Sequence, residues 1–113
     1  MDKREKALRF FHGEEHDNCA QSILKSFQED DNIPQEKIDE FAAFGSGRAH
    51  EGQCGALYAG QIVLDNDRHN QNLIRDFSAA AGSSKCHEIR KLKKLTCSEC
   101  VSVTADLVEK LIE

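Results

Sequence analysis

Five cysteines, Cys19, Cys54, Cys86, Cys97 and Cys100, are the residues of this 113-residue chain best suited to do chemistry. The densest signal is Cys97-Ser98-Glu99-Cys100, preceded by Thr96. Thr96-x-x-Glu99 is a capping-box sequence, which makes Thr96 the expected N-cap and Cys97 the first helical residue. Unsatisfied N–H groups and the helix dipole favour negative charge there, so the Cys97 thiol is expected to have a lowered pKa and to supply thiolate near neutral pH. Cys100 lies one turn later on the same face. The pair is read as a catalytic dithiol, with Cys97 attacking and Cys100 resolving, or as two ligands of a metal.

Cys19 repeats the arrangement, because Asn18-x-x-Gln21 also resembles a capping box. Cys54 follows Gly52 and Cys86 follows Gly82-Ser83-Ser84, so both fall near expected helix starts. A single buried cysteine is usually a small hydrophobe, but a Cys-x-x-Cys in a chain without an export signal points to redox or metal chemistry. Zinc of the finger type fits poorly, since only one close pair is present. An iron–sulfur cluster needs four thiolates without fixed spacing. Cys19, Cys54, Cys86, Cys97 and Cys100 therefore form the candidate ligand set for a cluster or another thiolate-bound metal. Of these, Cys19, Cys54, Cys86 and Cys100 are the cofactor-binding candidates, with His87 beside Cys86 as an auxiliary ligand or thiolate partner. His12 and His16 are four apart, but Gly13 weakens a helix there. The Gly-rich stretch Phe44 to Gln53 reads as an interhelix loop, or as a backbone anion nest flanked by Arg48 and His50. No nucleophile elbow, P-loop or dinucleotide fingerprint occurs.

Helical periodicity must position these residues. Ala20, Ile23, Leu24 and Phe27 form one stripe. Pro34 opens a segment expected to bury Ile38, Phe41 and Ala42. Cys54 to Leu64 is apolar on almost every side, the pattern of a central helix surrounded by others, and Gly55/Ala59 and Ala56/Gly60 give it a ridge of small residues. Leu73, Ile74, Phe77 and Ala81 mark another helix closing at Gly82. A short helix with Ile89 and Leu92 follows, and the last runs from Cys97 to about Ile112, burying Cys100, Val103, Leu107 and Leu111. The expected fold is all-α, a single compact bundle of five to seven short helices spanning residues 1–113 as one domain.

Charge narrows the partners. Fifteen Lys and Arg against 20 Asp and Glu give a net charge of −5, which disfavours nucleic acid. Residues 85 to 94 run against this, with Lys85, Arg90, Lys91, Lys93 and Lys94 opposed only by Glu88. That stretch reads as a solvated helix face or as an anion or partner site. No apolar run is long enough to span a bilayer, and the N-terminal sequence lacks a signal-peptide core. The expected setting is cytoplasmic and off the membrane, with a redox protein or a small thiol as partner. A homodimer is compatible with the small-residue ridge.

Asn18-Cys19-Ala20-Gln21, the stretch FGSGR, the block Cys54-Gly55-Ala56-Leu57-Tyr58-Ala59-Gly60, then Cys86 and Cys97/Cys100 ahead of Val101 together resemble the C_GCAxxG_C_C family, named for its cysteines. The resemblance runs from about Asn18 to Ile112. The central block departs from the family order, reading Cys-Gly-Ala for Gly-Cys-Ala, and Cys97 and Cys100 compete for the last family position, with Cys100 favoured. What the resemblance implies is redox activity through the cysteines; the residues themselves are read as those of a thiol-dependent oxidoreductase or electron carrier. The competing expectation is a non-enzymatic helical interaction module whose cysteines are buried and inert.

Overall fold

The computed structural model describes residues 3–11, 18–44, 52–65 and 67–112. Among them are seven α-helices: α1 (Lys3–Phe11), α2 (Cys19–Asp31), α3 (Gln35–Glu40), α4 (Gly55–Leu64), α5 (Asp67–Ala81), α6 (Cys86–Leu92) and α7 (Cys97–Ile112), with a 3-10 turn at Phe41–Phe44. The only β pairing among these residues is one isolated antiparallel bridge, Gln53 to Lys85. The fold is all-α, as the periodicity requires. No described helix is long and apolar enough to cross a membrane.

α4 packs against α2, α5 and α7, and α7 also packs against α1 and α2. Gly55, Ala56, Leu57, Ala59 and Gly60 of α4 are all buried, as expected of a central helix. Its small residues let neighbours come close. A Cβ on Gly60 would lie 2.9 Å from Thr104 Cγ2 and 3.0 Å from both Leu73 Cδ2 and Val108 Cγ2, so α5 and α7 pack directly on this backbone. Ala20, Ile23, Leu24 and Phe27 supply the α2 side of the core, and Leu73, Phe77 and Ala81 supply that of α5.

Three details depart from the sequence pattern. In α7 the fully buried residues are Val101, Thr104, Ala105 and Val108, together with nearly buried Cys100, whereas Val103, Leu107 and Leu111 are only partly buried. The stripe is turned toward the smaller side chains because these are what allow α7 to approach α4. Leu92 is 56% exposed because α6 ends there, and Ala42 is exposed because it lies in the 3-10 turn beyond α3. Finally, α1 carries no strong apolar stripe, yet it packs on α2 and α7 with Ala7 fully buried. Polar contacts help to hold it: Lys3 Nζ donates to Ser26 O at 3.0 Å and lies over the Phe27 ring, and Lys3 N donates to Glu109 Oε2 at 3.2 Å.

A cavity lined by all five cysteines

Four of the five sulfurs are placed by a helix start, and Cys100 follows one turn into α7. At α2 the Asn18 side chain accepts from Gln21 N at 2.8 Å, and Gln21 Oε1 accepts from Asn18 N at 3.2 Å, a complete capping box with Cys19 as the first helical residue. Asn18 Nδ2 also donates to the carbonyls of Phe41 and Ala42 at 3.0 and 3.1 Å, so the cap anchors the turn after α3 as well. At α7 Thr96 N donates to Glu99 Oε1 at 3.0 Å and Glu99 N donates to Thr96 Oγ1 at 3.1 Å. That is the second capping box, and Cys97 opens the helix it starts.

Cys54 is the N-cap of α4 and Cys86 the first residue of α6. The two starts are tied together. The Gln53–Lys85 bridge aligns the chain just ahead of both cysteines, and Cys54 N donates to Ser84 O at 2.9 Å. Gln61 Nε2, two turns along α4, donates to Gln53 Oε1 at 3.1 Å and braces the same segment.

These four starts face one cavity of about 560 Å³, within the size range of small-molecule sites. All five cysteines line it, with Phe11, Ile89 and Leu95 as apolar walls and Asn18, Thr96, Arg90 and Lys93 as polar lining. Cys97 is exposed, Cys19 is half-buried, and Cys54, Cys86 and Cys100 are buried.

The sulfurs fall into an inner and an outer group. Cys54 makes thiol hydrogen bonds to both Cys100 and Cys19. Its pKa is pushed up from 9.0 to about 12, first by the hydrogen bond with Cys100, which holds the proton on the Cys54 sulfur, and further by burial and by repulsion from charge on Cys100. The bond from Cys19 opposes the rise. Nearer the opening, Arg90 hydrogen-bonds Cys97 and lies close enough to Cys86 to act on its charge. The Cys86 thiol is pushed up by burial, and the Arg90 guanidinium opposes that. Arg90 in turn is held further toward its charged form, chiefly by Cys86 and then by its bond to Cys97.

The structure thus brings together Cys19, Cys54, Cys86, Cys97 and Cys100. His87 is exposed and does not line the cavity. Helix geometry sets the residue four positions on, Arg90, beside Cys86 in place of its sequence neighbour. That i, i+4 spacing within the basic stretch is the signal from which Arg90 was legible. His12, His16, Arg48 and His50 lie outside the described residues. Among the described residues, no three His, Cys, Asp or Glu side chains stand close enough together to hold one metal ion. The sequence-derived ligand set therefore lines one cavity without three of its described members closing on a point.

The family model described as "Putative redox-active protein (C_GCAxxG_C_C)" matches residues 17–113. The chain belongs to this family. The match takes in every cysteine and both capping boxes, and leaves out only α1 and the residues around it. No curated protein and no solved structure matches the chain.

Proposed function

We propose that this protein is a thiol–disulfide redox protein working through Cys97 and Cys100. Cys97 is the entry point, an exposed residue at the start of α7 whose sulfur accepts a hydrogen bond from the Arg90 guanidinium and faces the cavity. Its thiolate attacks one sulfur of a substrate disulfide, the substrate S–S bond breaks, and one substrate thiol leaves. Cys100, buried one turn further along α7, then attacks the Cys97 sulfur of the mixed disulfide and expels the second substrate thiol. Two protein thiols become one disulfide. The two electrons reduce the substrate disulfide, and the two protons end on the released thiols. In the reduced protein Cys54 donates its hydrogen bond to Cys100 and stays protonated near neutral pH.

The single observation that carries this reading is the convergence of all five sulfurs on one solvent-reached cavity, with an exposed cysteine one turn from a buried one. A helical module with inert thiols would have no need of such an arrangement.

The test uses an uncharged oxidant. Folded protein treated with bis(2-hydroxyethyl) disulfide should lose two thiols per chain, recover them on reduction, and give a Cys97–Cys100 disulfide on peptide mapping. Protein that keeps all five thiols in excess oxidant, or that stops at a stable mixed adduct, would refute the reading.

A further inference from the structure

The basic stretch of residues 85 to 94 has a place in this cavity. Two of its side chains, Arg90 and Lys93, line the cavity, and among the described residues no carboxylate does. Of the described acids beside Arg90 and Cys97 in the chain, Glu99 closes the Thr96 capping box and Glu88 accepts from Ser83 Oγ. In a chain of net charge −5, the described lining of this opening carries the opposite sign. A cleft of one charge sign focuses its field and raises the local concentration of counter-charged ligands.

Lys93 adds a second, independent observation. It ends α6 in the left-handed region, with φ 54 and ψ 27. Gly or Asn adopts that conformation far more readily than Lys does. A strained lysine at the rim of a cysteine-lined cavity points to a use for its side chain.

We propose that the cavity takes a small disulfide bearing carboxylates, with Arg90 and Lys93 binding its carboxylates beside Cys97. The proposal rests on the thiol–disulfide reading and adds the substrate class. The reaction is the one balanced above. The anionic disulfide accepts two electrons and leaves as two thiols, while Cys97 and Cys100 become a disulfide. The apolar walls from Phe11, Ile89 and Leu95 receive the uncharged part of the substrate.

Two measurements test the proposal separately from the redox reading. The first compares oxidation of the reduced protein by glutathione disulfide, by cystamine and by bis(2-hydroxyethyl) disulfide at low salt. Glutathione disulfide should react about tenfold faster than the uncharged reagent, as expected for one or two partly exposed ion pairs, and cystamine should be slower than both. Lys93→Asn keeps a residue that tolerates the left-handed conformation while removing the charge. It should shrink the ratio of anionic to uncharged rates several-fold, and salt should do the same. A ratio near one in the wild type, or a ratio untouched by Lys93→Asn, overturns the proposal.

The second measurement is calorimetric titration with S-methylglutathione, which cannot exchange disulfides. Saturable binding that weakens in Lys93→Asn supports the anion site even if no disulfide oxidises the protein, an outcome that would sink the redox reading alone. Oxidation by the uncharged reagent with no S-methylglutathione binding would overturn the anion site and leave the redox reading standing.

Discussion

Raising the pH should destabilise the fold, and one buried thiol should account for a large part of the loss. Cys54 is held from 9.0 up to about 12 by its hydrogen bond to Cys100 and by burial. Between those values the unfolded chain has released a proton that the folded chain keeps, so stability falls as pH rises. The contribution is intact below pH 9 and is lost progressively as pH climbs to about 12. Each pH unit is worth about 1.4 kcal/mol, so at about pH 10.5 the loss from this group should be about 2 kcal/mol. The wild-type profile sums over every ionisable group, so the Cys54 share is read by difference. The comparison is with Cys54→Ala. That variant starts less stable at pH 8, because it loses sulfur packing and two hydrogen bonds, but its slope should be shallower. Urea unfolding in a phosphine reductant at pH 8, 9 and 10.5 reads both profiles. Far-UV circular dichroism suits a helical chain with no Trp. Parallel stability profiles for wild type and Cys54→Ala would show that Cys54 does not carry a raised pKa, and the inner hydrogen-bonded group would have to be rebuilt.

Two further substitutions probe the frame of the site. Gly60→Ala gains about 1 kcal/mol of helix propensity, but its Cβ meets the stiff methyls of Thr104 and Val108 at 2.9 and 3.0 Å, and overpacking costs about 1–3 kcal/mol. A net loss of about 1 kcal/mol in urea unfolding is expected, and a variant as stable as wild type would mean that α7 gives way easily. Thr96→Ala removes the hydroxyl from one capping box and should cost about 1 kcal/mol while slowing iodoacetamide alkylation of Cys97 near neutral pH. An unchanged alkylation rate would mean that the start of α7 does not set the reactivity of Cys97.

What was legible in the sequence was whatever local chemistry dictates. Asn18-x-x-Gln21 and Thr96-x-x-Glu99 each specify a reciprocal pair of hydrogen bonds three residues apart, and both pairs form. The stripe Ala20, Ile23, Leu24, Phe27 is fixed by the helical period, and all four are buried. Reading failed where burial depends on the partner. In α7 the larger apolar residues suggested a stripe through Val103, Leu107 and Leu111, but the close approach at Gly60 selects Thr104 and Val108 instead. For α1 the anchoring comes from Lys3 reaching across to α2 and α7, which no periodicity records. The contact between Cys54 and Cys100 joins α4 to α7, and a spacing of 46 residues says nothing about a meeting in space.

The same hydrogen bonds that start the helices also sort the sulfurs. A capping box fixes where a helix begins and therefore which residue stands at its mouth, so Cys19 and Cys97 are held by side-chain-to-backbone bonds that do not depend on thiol chemistry. Cys54 and Cys86 are held just as independently, by the bridge between residues 53 and 85 and by Cys54 N on Ser84 O. Oxidation can then change sulfur bonding without dismantling any helix start. Cys100 is the exception, because it stands inside α7 and touches Cys54. Forming a Cys97–Cys100 disulfide takes up the acceptor of the Cys54 hydrogen bond and leaves that buried thiol with Cys19 as its remaining sulfur partner. Since an unsatisfied buried donor costs about 1–3 kcal/mol and a thiol is among the weakest donors, the inner group opposes the disulfide only mildly. That favours a bond that can be made and broken over one that serves as a permanent staple.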